Sequence, residues 1–200
     1  MSIFVFELAK KFSKTQIKGM ELRSLSGGTD IDCAAESCRV IVRNQKAGED
    51  APYEKLREEA ARFREESGCK LHIRGMGKSL ELTTAAEPSG EHNAVSVMMA
   101  FLGRINFVNE EHNDFIDFYN SYIGFCTSGE KLGIAFAAEA AEQPSFVVTT
   151  AEMNEKAGKL TVRMEYPIEL DEDKVYDTMM PILERYNFGL LKLGYIEQAQ

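Results

Sequence analysis

The stretch GCKLHIRGMGKSLELTTA, residues 68–85, sets Cys69, Leu71 and Ile73 on one face and Lys70, His72 and Arg74 on the other. It breaks at GMGK and resumes with Leu80 and Leu82. Period-two alternation interrupted by a glycine-containing turn predicts a β-hairpin. Immediately upstream the period changes. In DAPYEKLREEAARFREESG, residues 50–68, Tyr53, Leu56, Ala60 and Phe63 fall on one helical stripe, with Asp50 as N-cap, Pro52 in the first turn and Gly68 as the stop. Glu58 and Arg62, four apart, belong to the solvated face of that helix. Further upstream, IFVFELAKKF (3–12) and CRVIVRN (38–44) read as strands, separated by the small-residue loop SLSGGTDIDCAAES (24–37). Downstream of the hairpin, Ala94, Val95, Met98, Met99, Leu102 and Ile105 recur at helical spacing. The first half is therefore strand, loop, strand, helix, strand, strand, helix.

A second half begins near Asn106. NEEHNDFIDFYNSYIGF (109–125) has Asn109 as a cap, acidic residues in the first turn, and Phe115, Ile116, Tyr119, Tyr122 and Ile123 along one face, which predicts a helix. KLGIAFAAEAAEQP (131–144) is poorly periodic and reads as a short strand and loop. SFVVTTAEMNEKAGKLTVRMEYP (145–167) reads as two strands joined around NEKAG. LDEDKVYDTMMPILERYNFG (170–189) puts Val175, Met179, Leu183 and Tyr186 on one stripe, with Pro181 expected to bend or limit the helix, and LLKLGYIEQ (190–198) reads as a last strand. Antiparallel hairpins with amphipathic helices that cover one face of a sheet define an α+β class. The expected architecture is two ferredoxin-like α/β-sandwich subdomains, residues 1–105 and 106–200, each an antiparallel sheet covered by helices on one face, with a single shared sheet as an open option.

Composition narrows the function classes. With 200 residues, 44 % hydrophobic and 28 % charged, the chain belongs with soluble globular proteins and is long enough for a sizeable core. A formal net charge of −9, with Lys and Arg interleaved among Glu, predicts no nucleic-acid partner and no anionic membrane surface. The apolar start SIFVFEL is interrupted at Glu7 and has neither a charged leader nor a cleavage site, so it is read as structure rather than as a signal peptide. No run approaches the ~18 apolar residues of a membrane span. Cys33, Cys38, Cys69 and Cys126 form no C-x-x-C pair and no disulfide framework, the usage of a cytoplasmic protein with reduced thiols.

The candidate chemistry is sparse. A zinc site needs three or four convergent ligands, and the spacings around His72, His92 and His112 supply none. His92, in EPSGEHNAV, reads as an exposed helix start, with Ser89 as cap and Glu91 complementing the dipole. His112 lies in a second EHN at another helix start, and the two could pair only if those helix ends met. His72 falls on the polar face of its strand. SLSGGTD lacks the P-loop spacing, and Asp30 and Asp32 would repel phosphate. Asp30, Asp32 and Glu36 depart from the calcium-loop pattern at Ala34. There is no G-x-S-x-G, and no cysteine shares a recognisable context with a histidine. No catalytic and no metal-binding residue is assigned.

Five phrases read together, FELAKKFS, LRSLSGGT, HNAVSVMMAFL, SGEKLGIAF and KLTVRMEYPIELDED, resemble the lid domain of bacterial dipeptidases in the aminoacylase and carnosinase superfamily, peptidase family M20. The resemblance covers nearly the whole chain. It implies a lid of two α+β units inserted in a zinc-binding catalytic domain, which would hold the H-x-D and paired-glutamate zinc ligands that this sequence lacks. Three groups that such a lid contributes to substrate are altered here. The asparagine of GG-x-A-x-N-M-V-P-D is matched by Asp32, and its proline by Ala35. An amide can donate to a substrate carbonyl, whereas an ionised carboxylate cannot. The histidine of A-H-[GA]-x-x-P-E-x-G-x-N-A falls near Ala86 or Glu87 in TTAAEPSGEHNA, and His92 is at the wrong end to replace it. The arginine of R-Y-P, which clamps the substrate carboxylate, is matched by Glu165, with Arg163 two residues earlier on the same strand face as a substitute.

The function expected from the resemblance is a lid or interaction domain of a dipeptidase-like protein, non-catalytic as an isolated chain and from an inactive paralogue if activity has been lost. Asp32, Arg163 and Glu165 would be its degenerate substrate-binding positions. Its partner would be the zinc-binding catalytic domain of the same parent chain, with zinc held there and none in this chain, and with peptide substrate bound only in the full-length protein. The alternatives are a fragment of an active zinc dipeptidase and a free-standing α+β binding module. Because an inserted domain leaves and re-enters its host across a short gap, Ile3 and Ile196 are expected within roughly 15 Å, on neighbouring or nearby strands spaced by about 4.8 Å.

Overall fold

The structure, a computed structural model, describes residues 2–13, 19–46, 50–86, 92–134, 145–166 and 171–197. In chain order the elements are β1 (Ser2–Lys11), β2 (Met20–Gly27), β3 (Ser37–Asn44), α1 (Ala51–Ser67), β4 (Leu71–Met76), β5 (Ser79–Ala85), α2 (Ala94–Leu102) and α3 (Glu110–Tyr122). A 3-10 helix (Glu130–Leu132), β6 (Ser145–Asn154), β7 (Ala157–Tyr166), α4 (Glu172–Arg185) and β8 (Gly189–Glu197) complete them. The eight strands form one sheet in the order β4-β5-β3-β2-β6-β7-β1-β8. Every neighbouring pair is antiparallel. The protein is α+β.

Two ferredoxin-like units are woven into that sheet. Followed along the chain, β1, α3, β6, β7, α4 and β8 make a β-α-β-β-α-β run whose sheet order β8-β1-β7-β6 is the ferredoxin-like one. The other unit, β2 to α2, is spliced between β1 and α3 and has the same arrangement in permuted chain order, β2-β3-β5-β4. The sheet runs without interruption across residues 1–105 and 106–200, and β1 is inserted between β7 and β8. Within the sheet the units join where β2 pairs with β6, from Ser24↔Asn154 to Gly27↔Ala151. At the far side Ile3 pairs directly with Ile196.

Local chemistry explains most boundaries. The hairpin turns at Gly77, whose φ of 60° suits glycine. α1 ends at Gly68 in the left-handed conformation, its N–H bonding Arg64 O. Asp50 precedes α1, but its carbonyl rather than its side chain takes the first N–H groups, those of Tyr53 and Glu54. Asn93, Asn109 and Asp171 cap α2, α3 and α4 by accepting from the N–H two residues on. The cap of α2 is thus Asn93, whereas Ser89 and Glu91 lie outside the described residues. α2 stops at Leu102 rather than Ile105, and α4 continues through Pro181 to Arg185.

Strand β2 falls where a loop was expected. The register shift between Leu22 and Ser24 buries Leu22 and Leu25, three apart, so a bulge erases the period-two signal. The strand expected within 131–144 is a 3-10 turn at its start, and residues 135–144 are outside those described.

The helices cover one face. α2, apolar almost all round, packs on β3, β5 and β6 beneath α3, while α1 lies on β4 and α4 on β8. Phe4 stacks on Tyr166 at 4.3 Å, and Tyr176 of α4 meets both Phe4 and Phe6 edge-on. The opposite face carries ion pairs. Glu81 sits between Arg39 and Arg74, which hold its carboxyl below the usual range.

Candidate functional site

Arg163 projects from β7 on the face away from the helices, between Val5 of β1 and Val147 of β6. Residues two apart on a strand share a face, so Glu165 stands beside it. The Arg163 guanidinium is 2.7 Å from the Glu165 carboxylate through Nη2, and Nη1 donates to the carbonyl oxygen of Asp32 at 2.7 Å. The three positions named from the resemblance therefore meet, although Asp32 lies 131 residues from Arg163. Arg163 Nε is buried without a hydrogen-bond partner among the described residues.

What brings Asp32 there is the path of residues 28–36 after β2 leaves β6. Gly28 adopts φ 69°, and a Cβ at this position would overlap the Thr149 carbonyl oxygen, so the chain presses backbone to backbone on β6. The Asp30 carboxylate then accepts from Asp32 N at 2.9 Å, a local turn that exposes the Asp32 side chain and aims its carbonyl at Arg163. Ala35 N reaches Val148 O at 3.4 Å, and Ala94 N bonds Ala35 O at 3.0 Å. Asn93 closes the arrangement, its amide donating to Val148 O at 2.6 Å while its oxygen caps α2. The sequence marks Asn93 as a polar residue near a helix start. Only the fold shows that it ties that helix to β6 and to the loop carrying Asp32.

Chemically, the cluster is a guanidinium already held by a carboxylate and a backbone carbonyl. A guanidinium free to take a peptide carboxylate in fork geometry would be a strong anchor. Here Glu165 occupies one side of the fork and a backbone carbonyl the other. The ion pair is partly exposed, Arg163 at 24 % and Glu165 at 34 %, so its own contribution to stability is at most about 1 kcal/mol. Its consequence is for binding: an incoming carboxylate has to displace one already in place.

The histidines are dispersed. His72 is exposed on β4, as its strand face predicts. His92 precedes the cap of α2 instead of lying in the first turn, and is half-buried with its ring 4.9 Å from that of Phe125. His112 is 3 % exposed, packs edge-on against Phe12 at 4.8 Å, and neither ring nitrogen has a hydrogen-bond partner among the described residues. Among the described residues no three His, Cys, Asp or Glu side chains converge as metal ligands. Ala86, one of the two positions near the family histidine, gives its N–H to Glu36 O, and Glu87 lies outside the described residues. No helix among the described residues is long and apolar enough to cross a membrane.

No family model matches the chain. It is similar to the Staphylococcus haemolyticus protein named "Putative dipeptidase SH1171", at 25 % identity over 113 residues. That similarity takes in 56 % of this chain, which spans 24 % of the relative's length. The sequence relation is dipeptidase-like. Among solved structures, the aminoacylhistidine dipeptidase of Vibrio alginolyticus is similar over 97 % of this chain and 44 % of that one, at 12 % identity and a TM-score of 0.42.

Proposed function

We propose that the chain is a lid or interaction domain of a dipeptidase-like protein of the M20 type, without catalytic groups of its own, and that its substrate clamp is self-neutralised. The observation that carries this reading is the Arg163–Glu165 pair with the Asp32 carbonyl, because the guanidinium beside the expected clamp position is already engaged. The sequence similarity to a dipeptidase over 113 residues supports it. So does the pairing of β1 with β8, which brings the first and last described strands side by side, the arrangement an inserted domain requires. In this reading the partner is a zinc-binding catalytic domain of the same parent chain, which would also hold the metal. The protein acts in the cytoplasm, and Asp32, Arg163 and Glu165 are what remains of a peptide-carboxylate subsite.

Two measurements test it. Metal analysis after dialysis against zinc, with a dipeptide hydrolysis assay on the same sample, is expected to give no stoichiometric zinc and no turnover. One tightly held zinc per chain would overturn the lid reading. Sequencing of the surrounding reading frame is expected to find zinc-ligand segments on both sides. Stop codons bounding these 200 residues would leave a free-standing binding module instead.

A further inference from the structure

A cavity of about 330 Å³ lies between residues 33–36, the start of α2 and the turn after α3. Its wall brings together two of the four cysteines, Cys33 and Cys126, with His92 and Glu36, against the rings of Phe125 and Phe146. These groups come from four separate segments, so no local spacing announces them. The volume suits a small organic molecule.

The four thiols are not equivalent. Cys38 is in the core, where burial pushes its thiol up to about 12, and Cys69 is likewise buried. Neither is placed to act as a nucleophile. Cys33 is exposed. Cys126 is half-buried on the cavity wall, its Sγ 3.4 Å from Ser128 Oγ. Burial alone would raise this thiol. The Ser128 hydroxyl and the backbone N–H groups of Ser128, Glu130 and Lys131 outweigh that effect and hold it below its usual range. The thiol held below its usual range thus faces a cavity that already contains a second thiol.

We propose that this cavity is a thiol–disulfide exchange site for small disulfides of the cystine or glutathione type, with Cys126 as the attacking thiol and Cys33 as the second thiol on the same wall. Cys126 loses its proton to solvent and its sulfur bonds one sulfur of the small disulfide. The S–S bond of that molecule breaks and its other half leaves as a thiolate. If the Cys33 sulfur then attacks Cys126, the second half leaves as a thiolate too. The net change is two protein thiols oxidised to one disulfide and one small disulfide reduced to two thiols.

Incubation of the full chain with oxidised glutathione, quenched at intervals and mapped by peptide mass spectrometry, tests this. Cys126 is expected to be modified several-fold faster than Cys33, either as a mixed disulfide or as a Cys33–Cys126 bridge. Cys33→Ser should make the mixed disulfide at Cys126 accumulate at an unchanged initial rate, and Cys126→Ser should abolish the fast phase. Ser128→Ala, which leaves the cysteines in place, should slow Cys126 several-fold and leave Cys33 unaffected. A glutathione mixed disulfide on Cys33 that forms as fast as or faster than the mixed disulfide and bridge at Cys126 together, or a rate indifferent to both Cys126→Ser and Ser128→Ala, overturns the proposal.

Discussion

The tripeptide Glu-His-Asn occurs twice at a helix start, as residues 91–93 and 111–113, and the two copies meet opposite fates. In the first, Asn93 is the cap of α2, which leaves His92 outside the helix, half-buried against Phe125. In the second, the cap is Asn109, so His112 falls in the first turn of α3 and Asn113 lies within the helix. Its ring is driven into the body of the protein beside Phe12, with Glu21, Arg23, Asn109 and Glu155 around the adjoining cavity of about 180 Å³. The Asn113 side chain turns back to bond both the N–H and the carbonyl of Phe107. The difference is one of frame. Where the cap falls decides whether the histidine is buried, and the cap is set by where tertiary packing lets the helix begin.

The largest effect should come from the buried copy. His112→Ala removes a ring at 3 % exposure and leaves a void that its neighbours cannot fill, and we expect a loss on the order of 3 kcal/mol at neutral pH, read from urea unfolding. A loss below about 1 kcal/mol would mean that the ring is not packed as described.

A second test reads charge instead of volume. Burial holds His112 below its ordinary range, although the carboxylates of Glu111, Glu21 and Glu155 pull the other way. Arg23, on the same cavity, is paired with Glu21 and Glu155. The unfolded chain therefore takes up a proton near pH ~6.5 that the folded chain does not yet accept. The stability linked to this group is complete above that value and is lost as pH falls from it towards the lower folded pKa. Subtracting the stability profile of His112→Gln from that of the wild type isolates the term. A difference that is flat between about pH 7 and 5 would show that the imidazole protonates freely in the folded state.

The two asparagines come next. Asn93→Ala removes the α2 cap and the bond to Val148 O together, and should cost about 2 kcal/mol, the upper part of the range for a lost cap. It should also raise hydrogen exchange at Ala35 and Ala94, since the loop carrying Asp32 is anchored through the same junction. Asn109→Ala, which removes the α3 cap accepted from Glu111 N, should cost nearer 1 kcal/mol and leave that loop unchanged.

These contrasts show what a one-dimensional reading can reach. The stripe Leu56, Ala60 and Phe63 with Gly68 behind it, and the alternation from Leu71 to Leu82, were legible because the forces behind them act within a turn of helix or across one strand pair. Strand β2 was not, because its bulge displaces the buried residues from period two. The positions Asp32, Arg163 and Glu165 could be named from a resemblance. That they would satisfy one another depends on loop 28–36 crossing from one ferredoxin-like unit to the other, which no local signal encodes. Cys126 and His92 share a cavity for the same kind of reason.

The smallest effect belongs to the first histidine, and it sharpens the comparison because the residue type is identical. His92 lies before its helix, whose cap is Asn93. Its loss removes the ring contact with Phe125, which is itself 47 % exposed and so offers an incompletely desolvated face. Contacts between rings add about 0.5–1.5 kcal/mol when buried, so His92→Ala should cost less than about 1 kcal/mol. A double-mutant cycle with Phe125→Leu separates that contact from everything else His92 touches. A coupling of a few tenths of a kcal/mol is expected, since residues in direct contact are those whose effects fail to add. If the cycle shows no coupling while His92→Ala still costs as much as His112→Ala, His92 is held by something other than Phe125. The frame of the cap would then not be what distinguishes the two copies.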